Sequence, residues 1–132
     1  MMPEQSDVLT KFKGKRILVV EDEYFLADEV HQKLIALGAE VVGPVASVRD
    51  AMELIEASEI DAAILDIHLG DEFVFPVADR LDELDIAFVF ATGYDRAFIP
   101  AEYTGFALCE KPTELAKIAH ALWEDDIRAN SN

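Results

Sequence analysis

Apolar residues run along the chain in two alternating rhythms. Short unbroken runs occur at RILVV (Arg16–Val20), AEVVG (Ala39–Gly43), DAAILDI (Asp61–Ile67), IAFVFAT (Ile86–Thr92) and, more weakly, GFALC (Gly105–Cys109). Continuous runs rich in β-branched residues suit strands buried on both faces. Between them the apolar spacing changes to three and four. Leu26, Val30, Leu34 and Leu37 share one face of a helix that Gly38 ends. Ser47 and Asp50 are spaced as a capping pair, with Val48, Met52 and Ile55 on one face of the helix they open. Pro76 stands near the first turn of a third helix whose inner stripe is Val77, Ala78, Leu81 and Leu84, after a long loop. Thr113 is a good N-cap for a last helix reaching about Ile127, with Leu115, Ile118, Ala119 and Leu122 inside.

Strand and helix thus alternate five times. That order predicts an α/β fold: a five-stranded, doubly wound parallel sheet with helices on both faces and right-handed crossovers. Two stretches break the rhythm. Residues 1–15 are polar and aperiodic and read as a flexible arm, which leaves one domain over 16–128 and a tail at 129–132. Between Thr92 and Gly105, GYDRAFIPAEYT holds Pro100 and leaves room only for a short or irregular helix.

Composition narrows the function. The chain has 132 residues, enough for one domain with a core of its own. Its 27 acids against 11 Lys and Arg give a formal charge of −16. Such a field repels phosphate backbones and anionic lipids, so nucleic acid and membranes are poor partners. Cys109 is the lone cysteine, which suits a reducing compartment. No signal-peptide pattern opens the chain, and no apolar run approaches the roughly 20 residues that span a bilayer. The expectation is a soluble cytoplasmic protein.

In an open parallel sheet, ligands sit outside the carboxyl ends of the strands. There the first strand delivers Glu21 and Asp22, the third Asp66, the fourth Thr92, and the fifth Lys111. Clustered carboxylates are costly unless a cation neutralises them. A hard dication with oxygen ligands does so, and Mg²⁺ suits a site that also receives phosphate oxygens. Asp66 is then placed to attack a phosphoryl group, with Lys111 offsetting charge and Thr92 donating to a phosphoryl oxygen. Each residue also has a plainer reading. Asp22 alone would be a helix N-cap, and Glu21 and Glu23 helix-dipole partners or solvated charges. Thr92 alone is an ordinary strand residue, and Lys111 a surface lysine or an ion pair for Asp66. The His68 side chain is not expected to bind metal, because no second His or Cys stands at ligand spacing.

VVEDE, ILDIHL, FATGY and EKP, in this order, resemble the receiver domain of two-component response regulators. The resemblance spans Arg16 to Ile127. It implies the flavodoxin-like strand order 2-1-3-4-5. It also implies that Asp66 is the phosphoacceptor, that Glu21 and Asp22 hold Mg²⁺ with Asp22 the direct ligand, and that His68 gives its backbone carbonyl to the metal. Thr92 and Lys111 match the family's hydroxyl and lysine, and the Lys111–Pro112 bond matches one that is usually cis. Leu108 departs from the pattern, standing where receivers carry an aromatic switch. FATGY resembles a subfamily, often stand-alone, that lacks this switch and has an altered fourth helix; Tyr94 is then the candidate moving residue.

The resemblance implies a phosphoacceptor signalling protein rather than an enzyme, catalysing only its own phosphorylation and dephosphorylation. The donor would be a histidine kinase or histidine phosphotransfer protein. With no output domain expected after the last helix, its role would be phosphate sink, kinase feedback or adaptor for a downstream protein. Leu108 motivates the alternative of a pseudo-receiver that binds partners without phosphorylation. An aspartyl-phosphate hydrolase is disfavoured, since its second Asp would stand where His68 does and no cap insertion exists.

Overall fold

The structure is a computed structural model. It describes residues 8–92, 108–110 and 115–130, with side chains over 8–91 and 115–123. The main sheet is built from β1 (Arg16–Val20), β2 (Glu40–Val45), β3 (Ala62–Asp66), β6 (Ala87–Thr92) and β7 (Leu108–Glu110). Its order is β2-β1-β3-β6-β7, and every pairing is parallel. Counting only these strands, that is the expected 2-1-3-4-5 order. The helices are α1 (Tyr24–Ala36), α2 (Val48–Ala57), α3 (Phe75–Glu83) and α4 (Leu115–Asn130).

The unbroken apolar runs are explained by the period of a strand. Successive side chains point to opposite faces, so a two-sided sheet needs apolar residues at every position. Ile17 and Val19 join Ala62, Ile64 and Val89 in one core, closed by Leu34 of α1 and Ile118 and Ala119 of α4. Leu18 and Val20 join Ala63, Leu65, Phe88 and Phe90 in the other, closed by Ala51 and Ile55 of α2 and by Val77 and Leu81 of α3. The caps follow the sequence too. Ser47 Oγ accepts the Asp50 N–H at 3.1 Å, and Gly38 after α1 takes a left-handed φ of 84°.

Four expectations are corrected. The arm over residues 1–15 is not loose across its described part. Val8 lies in the core and Thr10–Phe12 form a 3-10 turn. Phe12 is fully buried and meets the Trp123 ring edge-on at 5.0 Å. Val8, Leu9 and Phe12 anchor this segment, which is too short to show a periodicity. Leu84 leaves the inner stripe of α3: it is the C-cap residue and is exposed. The tail is also shorter than expected, because α4 runs to Asn130 across non-helical backbone at Trp123. Finally, the loop after Asp66 contains a small antiparallel hairpin, β4 (His68–Leu69) and β5 (Glu72–Phe73). The irregular helix expected over 93–104, Tyr94, Thr113 and the Lys111–Pro112 bond lie outside the described residues.

Gly43 is a steric requirement of this sheet. Its φ is 98°, and an added Cβ would meet Val19 O and Val45 N, each at 3.0 Å. The β1–β2 register shifts at this point. Gly43→Ala is expected to cost about 2 kcal/mol or more, measured by urea unfolding. Gly70→Ala, at φ 65° with open space around the added carbon, should cost about 1 kcal/mol. Phe12→Ala should cost about 3–5 kcal/mol; an unpacked arm would leave the urea midpoint unchanged.

Candidate functional site

The register of β1 on β3 builds the site. Leu18 pairs with Ala63, Val19 with Ile64 and Val20 with Leu65. The next step on each strand is Glu21 and Asp66, so two parallel neighbours reach carboxylates at the same height. By the two-residue period both belong to the face that carries Val19 and Ile64. Asp66 is 5% exposed, the one buried charged residue among those whose side chains are described. Glu21 Oε2 is closed off from solvent. Asp22 is exposed and completes the group: one carboxylate oxygen from each of Glu21, Asp22 and Asp66 lies within 4.8 Å of the others.

Asp22 does not cap α1. Glu23 holds the N-cap position and makes no side-chain capping bond. Instead Asp22 Oδ2 accepts the Gly70 N–H at 2.7 Å, across 48 positions of sequence. That contact ties the acidic group to the hairpin. Two unit charges 4.8 Å apart repel by about 1–3 kcal/mol, depending on how watery the surroundings are. Three carboxylates so close, with one buried, form a donor set of hard oxygens that suits a small dication.

The other expected residues are placed less completely. His68 opens β4 and is half-buried. Its ring lies 4.7 Å from that of Phe73, tilted by 54°, so the imidazole packs in the hairpin. Thr92 ends β6 one residue beyond Ala91, which pairs with Asp66, so its backbone reaches the same rim. The Thr92 backbone pairs with Glu110 on β7, and Lys111 is the next residue, outside the described set. Leu108 pairs with Phe90.

Sequence reasoning missed Gly70 and Glu72. Glu72 Oε2 accepts the N–H of Val48, the first residue of α2, at 3.1 Å. A signal was present: Gly70-Asp71 is a two-residue turn sequence between short strand-like pairs.

No protein-family model matches the chain. It is similar to SdrG from Sphingomonas melonis Fr1, at 38% identity over 83% of this chain and 93% of that one, with a TM-score of 0.72. A BeF3-activated conformation of SdrG matches at 37% identity, over 81% and 92% of the two chains, with a TM-score of 0.69. The sensory transduction protein LytT of Bacillus cereus is 33% identical over 111 residues, covering 81% of this chain and 45% of LytT. The chain therefore spans about half the length of the curated relatives it matches. The response regulator PhyR from Brucella abortus shares the fold, with a TM-score of 0.76 at 24% identity over 96% of this chain and 55% of PhyR. This fold, carrying acids at the carboxyl rim of a parallel sheet, is that of a two-component signalling module. The chain belongs to the receiver-domain family of response regulators. Among the described residues, no helix is long and apolar enough to cross a membrane.

Asp22→Ala removes the charge-assisted Gly70 hydrogen bond, worth about 1.5–3 kcal/mol, and relieves carboxylate repulsion of similar size. Global stability in urea should therefore change by less than about 1 kcal/mol. Hydrogen exchange at the Gly70 amide, followed by NMR, should nevertheless accelerate.

Proposed function

We propose that the chain is a response-regulator receiver that accepts a phosphoryl group on Asp66 from a phosphohistidine donor, with Mg²⁺ required. The observation that carries this reading is the carboxylate triad, in which buried Asp66 lies beside Glu21 and Asp22. Glu21 and Asp22 would hold the ion together with Asp66, with the His68 backbone carbonyl as a further ligand. When bound, Mg²⁺ supplies positive charge against the phosphoryl oxygens and the carboxylates. An Asp66 oxygen attacks phosphorus in line with the donor nitrogen. The O–P bond forms as the N–P bond breaks, and the imidazole nitrogen keeps the electron pair and takes a proton. Thr92 donates a hydrogen bond to a phosphoryl oxygen, and Lys111 balances its charge. Burial of Asp66 limits water at the acyl phosphate that results.

The sequence Phe90-Ala91-Thr92-Gly93-Tyr94 supports membership of the often stand-alone subfamily that lacks the aromatic switch, as does Leu108 in place of an aromatic. A phosphoaspartate adds about −1.5 to −2 charges, judged from other phosphoresidues. That charge can draw the Thr92 hydroxyl inward and bias the segment behind it, with Tyr94 as the moving residue. The partners are a histidine kinase or histidine phosphotransfer protein and a downstream protein, in the cytoplasm. Tyr24 and Phe25 at the start of α1 are 78% and 85% exposed and meet edge-to-face at 5.7 Å. Two bare aromatics next to the acids form an apolar foothold for a docking partner.

Incubation with acetyl phosphate and Mg²⁺ should add one phosphoryl mass to the chain. Asp66→Ala or chelation should abolish the gain. Wild-type chain that gains nothing from acetyl phosphate or from any phosphohistidine donor would be a pseudo-receiver instead. In addition, Mg²⁺ at about 100 times its dissociation constant should stabilise the wild type by about 2.7 kcal/mol, read as a rise in urea midpoint that Asp22→Ala diminishes.

A further inference from the structure

The hairpin that carries His68 is held at both edges by carboxylates from outside its own ladder or aimed outside it. At the turn, the Gly70 N–H donates to Asp22 at 2.7 Å. On the returning strand, Glu72 reaches the Val48 N–H at 3.1 Å, at the entrance of α2. The ladder between these points is two residue pairs long, His68 with Phe73 and Leu69 with Glu72. A two-stranded ribbon of that size has little stability of its own. Packing fixes one side of it. Leu69 and Val74 are buried, and the rings of His68, Phe73, Phe75 and Phe90 follow one another at 4.7, 5.7 and 5.8 Å. The turn itself has the Asp22 contact.

The Glu72 bond contributes little that α2 needs. Ser47 already serves that helix end locally through Asp50, and an exposed amide such as that of Val48 can turn to water at small cost. Its distinctive effect is on the hairpin, because it fixes β5 against an element that the sheet holds rigidly. Resting on the metal-dependent phosphoacceptor reading, we propose that Glu72 is a positioning residue for the acidic site. By docking the hairpin on the N-terminus of α2, it holds the Gly70 amide against Asp22 and so sets the aim of that carboxylate toward the ion. Outer partners of metal-binding groups act in this way, by orienting a ligand they do not replace.

The test is Mn²⁺ uptake by the full chain, read as the loss of the free-ion electron paramagnetic resonance signal. Glu72→Ala should weaken uptake about tenfold and accelerate exchange at the Gly70 amide. Glu72→Gln should restore both, since an amide oxygen accepts the same N–H without the charge. Ser47→Ala, which weakens the same helix end but leaves the hairpin alone, should bind Mn²⁺ as the wild type does. Wild-type affinity in Glu72→Ala overturns the proposal. So does an equal loss in Ser47→Ala, which would assign the effect to helix stability, or a failure of Glu72→Gln to rescue. A wild-type chain that takes up no Mn²⁺ defeats the phosphoacceptor reading and this proposal together, whereas uptake that ignores Glu72 defeats this proposal alone.

Discussion

The parallel pairing of β1 with β3 constrains the rest of the molecule. It runs in register from Ile17 opposite Ala62 to Val20 opposite Leu65, and all of these residues are buried. A slip of one residue would turn Val19 and Ile64 to the wrong faces and separate Glu21 from Asp66. The same pairing that closes both cores therefore also fixes the spacing of the carboxylates. Core packing and site geometry share one set of hydrogen bonds.

Among the described residues, acids gather closely at one place. Apolar residues fill the strands to their carboxyl ends, and then three acids meet where the sheet opens. Surface ion pairs elsewhere, such as Arg16 with Glu40 and Glu59 or Arg80 with Glu56 and Glu83, are exposed and worth little individually. They lie among acids in excess and leave the overall charge strongly negative. The acidic rim differs because burial of Asp66 raises the cost of its charge. Close carboxylates with one member buried are the kind of group that concentrates at functional sites.

The likeness to SdrG covers nearly all of that chain, whereas LytT extends well beyond the matched segment. The matched unit thus makes up nearly all of one relative's solved chain and less than half of another. Within that unit the hairpin follows β3. It couples the rim to α2 and α3 through Asp22, Glu72 and a file of aromatic rings, so a change at the acids has a physical route into two helices on the opposite face of the sheet from α1.

The sequence by itself determined the strands, the two-faced sheet, the Ser47 cap, the end of α1 at Gly38 and the meeting of Glu21, Asp22 and Asp66. These follow from local periodicity and from the rule that strand ends converge in a parallel sheet, both of which a linear reading carries. Tertiary structure alone decided the burial of Phe12 against Trp123, the exposure of Leu84, the release of Asp22 from helix capping to the Gly70 amide, and the reach of Glu72 to Val48. Each of these joins residues distant in sequence or depends on where a helix axis ends in space. Their partners are chosen by packing, and a single side chain leaves no periodic trace of a contact that only the folded chain creates.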